Sequence, residues 1–519
     1  MECQYVPLSA TGQFSSLFLD YLAQKEAVKP FYGEFPTIDA FARQIQKKQF
    51  SDENRNVLAD VLTRQYAHLS NVPDLNAFRQ ANTFTVTTGH QLNIFTGPLY
   101  VVYKIVTILN LARKLNETYP DYNFVPVYWM ASEDHDFAEI NHFRLFGRTH
   151  TWETEQRGAV GRMNPRELAD LLKTIPEKLP FFEQAYLNHD TLADAVRAYM
   201  HDLFGAEGLV CLDADDADLK RIFSPIMRDE LLLQNTGTLV NNTTERLNEL
   251  GYKTPISPRD INLFYLTGSG TDGLRERITR TSTGYEVLNT KLRFTEAELL
   301  AELEQHPDRF SPNVVMRPLY QETILPNLAY IGGPSEVPYW LQLKAEFDQY
   351  GVAFPMLIPR NFALYVPEVA ARRIHKLGLT AADMFQDVVA LKRAYVEHHT
   401  EHCLKFDAEN KVIHKALATI LQKAQLVDPT LEKTVLAETK RFANAVVRLE
   451  KKMRRAEEHN QETGVRQLLT VKEELFPGGT PQERADNFLT FYLNDPQFLQ
   501  KLLAHFDPLN YQMQVCLEA

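Results

Sequence analysis

Acidic and imidazole side chains are concentrated between residues 131 and 142. Six of them lie within ten positions: Glu133, Asp134, His135, Asp136, Glu139 and His142. Groups of these types can hold a metal ion, act as a general base or bind a substrate amine. Their spacing matches neither HExxH nor a zinc signature, so we expect no metal. We assign a catalytic role to Asp134, His135 and Asp136 and a binding role to Glu133; alternatively, Asp134 or Asp136 caps the next helix and the rest are solvated.

A second polar segment, residues 87–98, lies between a β-branched run and an apolar helical run. At the carboxyl edge of a parallel sheet, backbone N–H groups at the start of the following helix can hold an anion such as a nucleotide phosphate. We therefore predict substrate or nucleotide contacts from Gly89, His90, Gln91, Asn93, Thr96 and Gly97. The alternative is that the glycines only shape a tight turn and that Thr96 caps the helix.

A third polar segment extends from residue 311 to residue 336 and contains one arginine and two adjacent glycines. Arg317 can clamp a carboxylate or phosphate through two hydrogen bonds, and the glycines allow a ligand to approach the backbone closely. We predict binding roles for Asn313, Arg317, Gly333 and Glu336. The alternative is a structural ion pair between Arg317 and either Glu322 or Glu336.

The apolar runs predict elements that place these segments on a parallel α/β core. Residues 83–88 have strand character, residues 98–114 helical character, and residues 124–131 the nearly continuous apolar character of a strand covered on both faces, which together make a βαβ unit. Further strand candidates are residues 208–213, 262–266 and 352–359. The glycines of 268–273, followed by Arg275, Arg277 and Arg280, do not match a dinucleotide fingerprint, so we expect a hairpin or mobile loop there.

Long helices are predicted after about residue 367. A heptad-like seam alternates spacings of four and three: Val435, Thr439, Phe442, Val446, Leu449, Met453 and Ala456. Pro429 divides this region into two helices, as an antiparallel helical arm requires. The seam predicts a homodimer through a coiled coil, and an intramolecular helical hairpin is the alternative.

The chain of 519 residues is too long for one hydrophobic core, so several structural units are expected. The predicted segments are a lead-in, helical up to about residue 80, with the first half of the core (1–147), a helical insertion (148–205), core (206–251), a second insertion (252–310), the second half of the core (311–370), the helical coiled-coil arm (371–476) and a helical tail (477–519).

Charge and composition exclude several classes of protein. The 55 Lys and Arg against 67 Asp and Glu give a formal net charge of −12, so we expect no nucleic-acid or membrane partner, and an anionic ligand needs a local basic site. The four cysteines show no CxxC spacing, which favours reduced thiols. No signal-peptide pattern and no run of 18 or more apolar residues is present, which predicts a cytoplasmic protein.

Five blocks of this sequence resemble, in order, the cysteine-adding enzymes of bacillithiol biosynthesis, and the similarity extends over essentially the whole chain. They are TTGHQLNIFTGPLYVVYKI (87–105), YWMASEDHDFAEINHF (128–143), SPNVVMRPLYQE (311–322), LAYIGGPSEVPYWLQLK (328–344) and FPMLIPR (354–360). The resemblance implies ligation of L-cysteine to glucosaminyl malate, the last step of bacillithiol biosynthesis. It also implies a Rossmann-like core related to class I aminoacyl-tRNA synthetases and a coiled-coil dimerisation arm.

The resemblance also has implications for the role of His90 and for the expected cofactor. Members can carry Gln at the position of His90, which indicates a ligand contact rather than an obligatory acid or base. The class I relatives hold ATP with HxGH and KMSKS loops, whereas this chain has GHQLNIFTGP at the first position and no KMSKS. Because amide formation from a free acid needs activation, a nucleotide, ATP or ADP, is the expected cofactor.

Three functions follow as hypotheses. In an amide-forming, carbon–nitrogen ligase, the 89–98 loop holds an anionic or nucleotide group, the acids of 133–136 meet the amines, and Arg317 holds a carboxylate. In a metal-dependent hydrolase, the 133–142 cluster binds the metal. In a non-catalytic coiled-coil scaffold, the nucleotide-binding fold has no chemical role.

Overall fold

The structure, a computed structural model, describes residues 2–268 and 270–518. Its strands are β1 (Glu2–Pro7), β2 (Thr83–His90), β3 (Asn123–Met130), β4 (His142–Leu145), β5 (Arg148–Thr151), β6 (Val210–Asp213), β7 (Leu263–Thr267), β8 (Leu274–Thr281), β9 (Gly284–Val287), β10 (Arg293–Phe294), β11 (Phe310–Pro312), β12 (Asn327–Gly332), β13 (Met356–Pro359), β14 (Phe362–Val366) and β15 (Gln512–Leu517).

The α-helices of the same residues are α1 (Ser16–Leu22), α2 (Ala40–Lys47), α3 (Asp52–Gln65), α4 (Leu99–Thr118), α5 (Phe137–Ile140), α6 (Leu168–Lys173), α7 (Pro180–Asn188), α8 (Leu192–Phe204), α9 (Ala217–Leu233), α10 (Asn235–Glu249), α11 (Glu296–Gln305), α12 (Arg317–Ile324), α13 (Glu336–Leu341), α14 (Lys344–Tyr350), α15 (Glu368–Lys376), α16 (Val388–His399), α17 (Asp407–Val427), α18 (Glu432–Asn460), α19 (Glu462–Leu475), α20 (Gln482–Ala485), α21 (Leu489–Tyr492) and α22 (Phe498–His505).

Five parallel strands form the core sheet, in the spatial order β13-β12-β2-β3-β6. Counted along the chain this is 5-4-1-2-3, the doubly wound Rossmann order, so the predicted parallel Rossmann-like core is confirmed. The strand order reverses between β2 and β12, and ligands of such sheets bind outside the carboxyl ends of the strands at that point. Sequence analysis did not identify β12 as a strand.

Buried threonines fix the register of β2 against β12. The hydroxyls of Thr85 and Thr87 donate to Asn327 Oδ1 over 3.1 and 2.8 Å, and the Thr88 hydroxyl donates to the Ile331 carbonyl over 2.8 Å. Each of these polar groups is buried and has a partner, so a slip of one residue would leave them unsatisfied. The two strands therefore end at a defined position relative to each other.

The segment between β6 and β12 contains a second sheet, antiparallel, in the order β10-β9-β8-β7-β11. Residues 262–266, predicted as a strand, correspond to β7 in this sheet. The glycine segment 268–273 connects β7 and β8 as a hairpin, and Gly268 and Gly270 adopt positive φ angles of 59° and 62°. Ser269, inside this segment, lies outside the described residues.

The chain divides into two units. The larger consists of Pro7–Ala363 and Glu483–Gln514, and the smaller of Leu364–Gln482 with the two terminal segments up to Val6 and from Val515. In the smaller unit, α15, α16 and α19 surround an apolar core that includes Leu391, Leu468 and Val471. Helices α17 and α18 pack against each other as a hairpin, separated at Pro429 as the sequence predicted.

Both ends of the chain differ from the predicted helical segments. The first residues form β1, and the tail ends in β15; these two strands pair in the sheet β1-β15-β14. The pairing joins residues that are about as far apart in sequence as the chain allows, so local periodicity does not reveal it. The predicted helical insertion begins with β5, which pairs with β4, and continues into α6–α8.

Candidate active site

A cleft of about 570 Å³ opens at the carboxyl ends of β2, β3 and β12, where the strand order reverses. Each of the three polar segments contributes to it. The predicted residues that line the cleft are Gly89, His90, Gln91, Glu133, Asp134, Asn313, Arg317 and Glu336. The topology of the sheet thus brings together segments that are more than 200 residues apart in sequence.

Asp134 is the carboxylate that β3 presents to the cleft. Its Oδ2 accepts a hydrogen bond from Gln91 Nε2 over 2.7 Å, and its Oδ1 accepts one from the His135 backbone N–H over 2.7 Å. Burial raises the pKa of Asp134, but the hydrogen bonds from His135 and Gln91 and the nearby Arg275 outweigh it, so the pKa lies well below its usual value. Asp134 is therefore an anion at neutral pH and suits an ammonium group.

Glu133 also faces the cleft but has a buried partner. Its carboxylate accepts a hydrogen bond from Lys220 Nζ, and the Lys220 side chain is fully buried. Burial raises the pKa of Glu133 above its usual value, and Lys220 opposes this shift. The pair holds the loop after β3 against α9, so Glu133 contributes to the wall of the cleft.

Lys104 connects the two strands at the switch point. This side chain of α4 is buried, and its Nζ donates to the Gly89 carbonyl over 2.7 Å and to Glu336 Oε1 over 2.6 Å. The Tyr330 hydroxyl donates to Glu336 Oε2 over 2.7 Å. Burial lowers the pKa of Lys104, and the negative charge of Glu336 opposes this shift. Burial alone would raise the pKa of Glu336, but the positive charge of Lys104 outweighs burial, so the pKa of Glu336 is lowered. Glu336 is thus fixed by two donors.

Arg317, the first residue of α12, lies over aromatic rings at the cleft. Its guanidinium donates to Gln321 Oε1 and to the Tyr339 hydroxyl, both over 3.0 Å, and stands 5.6 Å from the centre of the Tyr330 ring. The alternative of a structural ion pair does not form, because Glu322 pairs with Lys48 and Glu336 pairs with Lys104. The remaining N–H groups of Arg317 are available to a ligand carboxylate.

His90 is held in a neutral state. Its Nδ1 lies 3.1 Å from the Gln91 carbonyl, so this nitrogen carries the proton, and its Nε2 accepts from the Tyr100 hydroxyl over 2.9 Å. Burial first, and then the positive charge of Lys104, lower the pKa of His90 to about 4. His90 is therefore a contact residue at neutral pH rather than a proton donor.

Six of the predicted site residues are not in the cleft: Asn93, Thr96, Gly97, His135, Asp136 and Gly333. A Cβ atom at Gly97 would collide with the Asn93 side chain, and Gly97 has φ 66°, so this glycine shapes a turn. Thr96 is buried and does not cap α4. His135 and Asp136 are exposed, His135 contacting Arg275, and the side chain of Asp136 does not cap α5.

The C-terminal tail packs against the start of α4 and binds its first N–H group. The Leu99 N–H donates to the Asp486 carbonyl over 2.8 Å. The buried Asn487 side chain donates to the carbonyls of Phe95 and Gly97 over 2.7 and 2.6 Å. Local patterns do not indicate this contact, because the tail is almost 400 residues away along the chain.

Several lining residues were not assigned to the site from the sequence: Tyr100, Arg259, Arg275, Arg277, Tyr330 and Tyr339. Lys104, behind the wall, was also missed, although a lysine within the apolar run of α4 is a signal of a buried ion pair. For the arginines the signal was weaker: Arg275 and Arg277 alternate along a strand and therefore point to the same face.

Within residues 2–268 and 270–518, no three His, Cys, Asp or Glu side chains are grouped so that they could hold a metal ion. The acidic segment disperses instead: Glu133 pairs with Lys220, Asp134 faces the cleft, and Asp136 faces solvent. Among these same residues, no helix has the length and apolar character that crossing a membrane requires.

Two family models match the chain. The N-terminal Rossmann-like domain of bacillithiol biosynthesis BshC matches residues 1–361, and the C-terminal coiled-coil domain of BshC matches residues 363–518. Curated relatives named "Putative cysteine ligase BshC" include proteins of Cytophaga hutchinsonii, 40% identical with 98% of each chain covered, and of Flavobacterium johnsoniae, 40% identical with 99% covered. A relative from Bacillus anthracis is 28% identical with 92% covered.

Proposed function

The chain belongs to the bacillithiol biosynthesis BshC family, and we propose that it is an amide-forming ligase that joins L-cysteine to glucosaminyl malate in the last step of that pathway. The observation that carries the proposal is the single cleft at the switch point, which combines an anionic carboxylate with arginines. A ligase for these substrates must bind amino and carboxylate groups side by side.

The charges that line the cleft fit such substrates. Four arginines and three carboxylates line it: Arg259, Arg275, Arg277, Arg317, Glu133, Asp134 and Glu336. The cleft therefore has a positive balance although the whole chain carries a net charge of −12. This local basic site is what an acidic protein needs in order to bind an anionic substrate.

In the proposed reaction, an amide bond forms between the carboxyl carbon of one substrate and the amino nitrogen of the other. One carboxyl C–O bond breaks and the ammonium group loses two protons; cleavage of the nucleotide would take up the departing oxygen. Asp134 holds the ammonium form of an amine, since it is anionic and its oxygens face the cleft. Arg317 holds a carboxylate with the N–H groups that its protein partners leave free. These residues promote the reaction mainly by holding the two groups close together in a fixed orientation.

A nucleotide remains the proposed source of activation, although the first N–H of the helix start that Rossmann folds use for phosphate is already bonded within the protein. The Asp486 carbonyl already accepts from the first N–H of α4, and Asn487 fills the turn before it. ATP dependence is tested directly by omission.

The test is incubation of the purified chain with L-cysteine, glucosaminyl malate and ATP, followed by mass spectrometry of the derivatised thiols. Product with the mass of bacillithiol supports the proposal. Parallel reactions without ATP or without the enzyme serve as controls. A folded protein that yields no product at any nucleotide tested would contradict the assignment.

We further propose that the arm makes a homodimer in the cytoplasm. Val446 of the predicted seam is buried within the hairpin, whereas Phe442 and Leu449 are 53% and 54% exposed. On α17, Ile420 is 51% exposed. Exposed apolar side chains in rows on two packed helices are typical of an association surface, for which a second copy of the chain is the proposed partner.

A further inference from the structure

We propose that Arg259 and Arg277 form a subsite for the two carboxylates of the malyl group, so that they select a dicarboxylate substrate. This inference rests on the proposed function and specifies how the cleft recognises one of its substrates. Both residues line the cleft, and neither was part of the site predicted from the sequence.

Arg277 reaches the cleft from the antiparallel sheet. It lies on β8 opposite Phe264 of β7, two residues after Arg275, so both arginines share one face of the strand. Arg275 is committed to the protein: it donates to Ser311 Oγ and to the Pro312 carbonyl, and its guanidinium stacks on Phe264 at 4.1 Å. The Arg277 side chain has no hydrogen bond or ion pair with any other described residue, and it is exposed to the cleft.

The backbone of Arg259 is fixed by a network of buried hydrogen bonds. Its backbone N–H donates to Asn262 Oδ1 over 2.9 Å, and its carbonyl accepts from Asn262 Nδ2 over 2.9 Å. Asn262 is fully buried and donates from its backbone and its side chain to Glu230 Oε1, both over 2.8 Å. Asn313, which also lines the cleft, donates to Asn262 Oδ1 over 2.9 Å.

Arg259 is therefore a positively charged side chain on a fixed backbone, and no acidic side chain of the described residues neutralises it. A buried network fixes the backbone of Arg259, yet its guanidinium, like that of Arg277, makes no ion pair within residues 2–268 and 270–518. By contrast, Arg162 of the larger unit pairs with Asp215. Two guanidiniums that line one cleft and make no ion pair within the described residues match two carboxylates carried on one small group.

A dicarboxylate fits better than a phosphate for a topological reason. Rossmann-type sheets hold nucleotide phosphates at the loop after the first strand, on backbone N–H groups. Arg259 and Arg277 come instead from the segment between β6 and β12. Asp134, which lines the same cleft, then holds the amine.

The experiment measures binding of glucosaminyl malate by isothermal titration calorimetry, without cysteine or ATP, for the whole chain and for R259Q and R277Q. We expect the dissociation constant to rise at least about tenfold in each variant, because each loses a charge-assisted contact. Methyl glucosaminide, which lacks the malyl group, should bind weakly and equally to all three proteins. R280Q is the matched control, since Arg280 lies on the same strand outside the cleft.

Turnover separates this inference from the proposed function. Weaker binding in R259Q and R277Q, together with a raised KM for glucosaminyl malate and an unchanged KM for cysteine, supports the subsite. If R259Q and R277Q lose binding in this way but the unmodified chain forms no product, the subsite stands and the proposed ligase activity is refuted. Unchanged binding in both variants overturns the subsite, as does a selective loss of ATP affinity, which would identify a phosphate site. Unfolding is checked by melting temperature, and R259K and R277K, which keep the charge, should bind with intermediate affinity.

Discussion

Replacing Asp134 with Asn tests the amine site with little disturbance of the fold. Asn keeps an oxygen that accepts from the His135 N–H, now 2.7 Å away. It loses the acceptor for Gln91, but Gln91 Nε2 retains Glu139 Oε2 as a partner, so the cost in unfolding free energy should be about 1 kcal/mol. Loss of a charge-assisted contact with a substrate ammonium costs about 1.5–3 kcal/mol, which corresponds to a roughly ten- to hundredfold lower kcat/KM.

The matched control is Asp136→Asn, because Asp136 belongs to the same loop but is exposed and lies outside the cleft. The assay is the rate of bacillithiol formation, with the melting temperature measured on the same preparations. D134N should lose activity while melting within a few degrees of the parent chain, and D136N should keep both. Equal activity of the two variants, or an equal loss in both, would show that the position of Asp134 in the cleft does not matter for the reaction.

Three further outcomes are expected. Lys104→Met should lower the free energy of unfolding, measured in urea, by about 3 kcal/mol, because it leaves Glu336 without its cation. The double variant with Glu336→Gln should recover part of this loss, and an unchanged free energy in the single variant would contradict the buried pair. Glu346→Gln should become more stable relative to the parent as pH rises from 5 to 8. Burial raises the pKa of Glu346 in the folded state well above its usual value, so above about pH 4.3 the unfolded chain releases a proton that the folded chain keeps, and the parent loses stability; parallel stability curves would refute this. Phe442→Glu with Leu449→Glu should give monomers by light scattering, whereas an unchanged mass would show that these side chains do not hold two copies together.

Apolar runs were sufficient to predict β2, α4 and β3, because a parallel strand covered on both faces and the long helix after it leave strong local patterns. They did not identify β12, although it is the strand that defines the switch point with β2. Its sequence, NLAYIG, is short and ends at Gly332, the first of two adjacent glycines that were assigned to ligand approach. Strand β15 was missed for a different reason, since its partners β1 and β14 are distant in sequence.

For the site, residue type and position after a strand were enough to find Gly89, Asp134 and Arg317. They were not enough to exclude Asn93 and Thr96, because only the structure shows these side chains buried in the turn before α4. Local sequence cannot reveal which face of a loop a distant segment covers. The Asp486 carbonyl binds the first N–H of α4, and the Asn487 side chain binds the turn before this helix, whose N–H groups the sequence had offered to a phosphate.

The ion pairs behind the cleft decide which of its charges a substrate can meet. Lys220 neutralises Glu133, and Lys104 neutralises Glu336, and both lysines are buried, so neither acid can release its partner cheaply. Asp134 Oδ1 lies 3.8 Å from Arg275 Nη1. The other nitrogens of Arg275, Nε and Nη2, donate to Ser311 and Pro312. An acidic segment of six titratable groups is thereby reduced to one carboxylate that can bind an amine. Arg259 and Arg277 also line the cleft and make no ion pair within the described residues, so the cleft offers one anion and two cations, as the proposed amino-sugar dicarboxylate substrate would need.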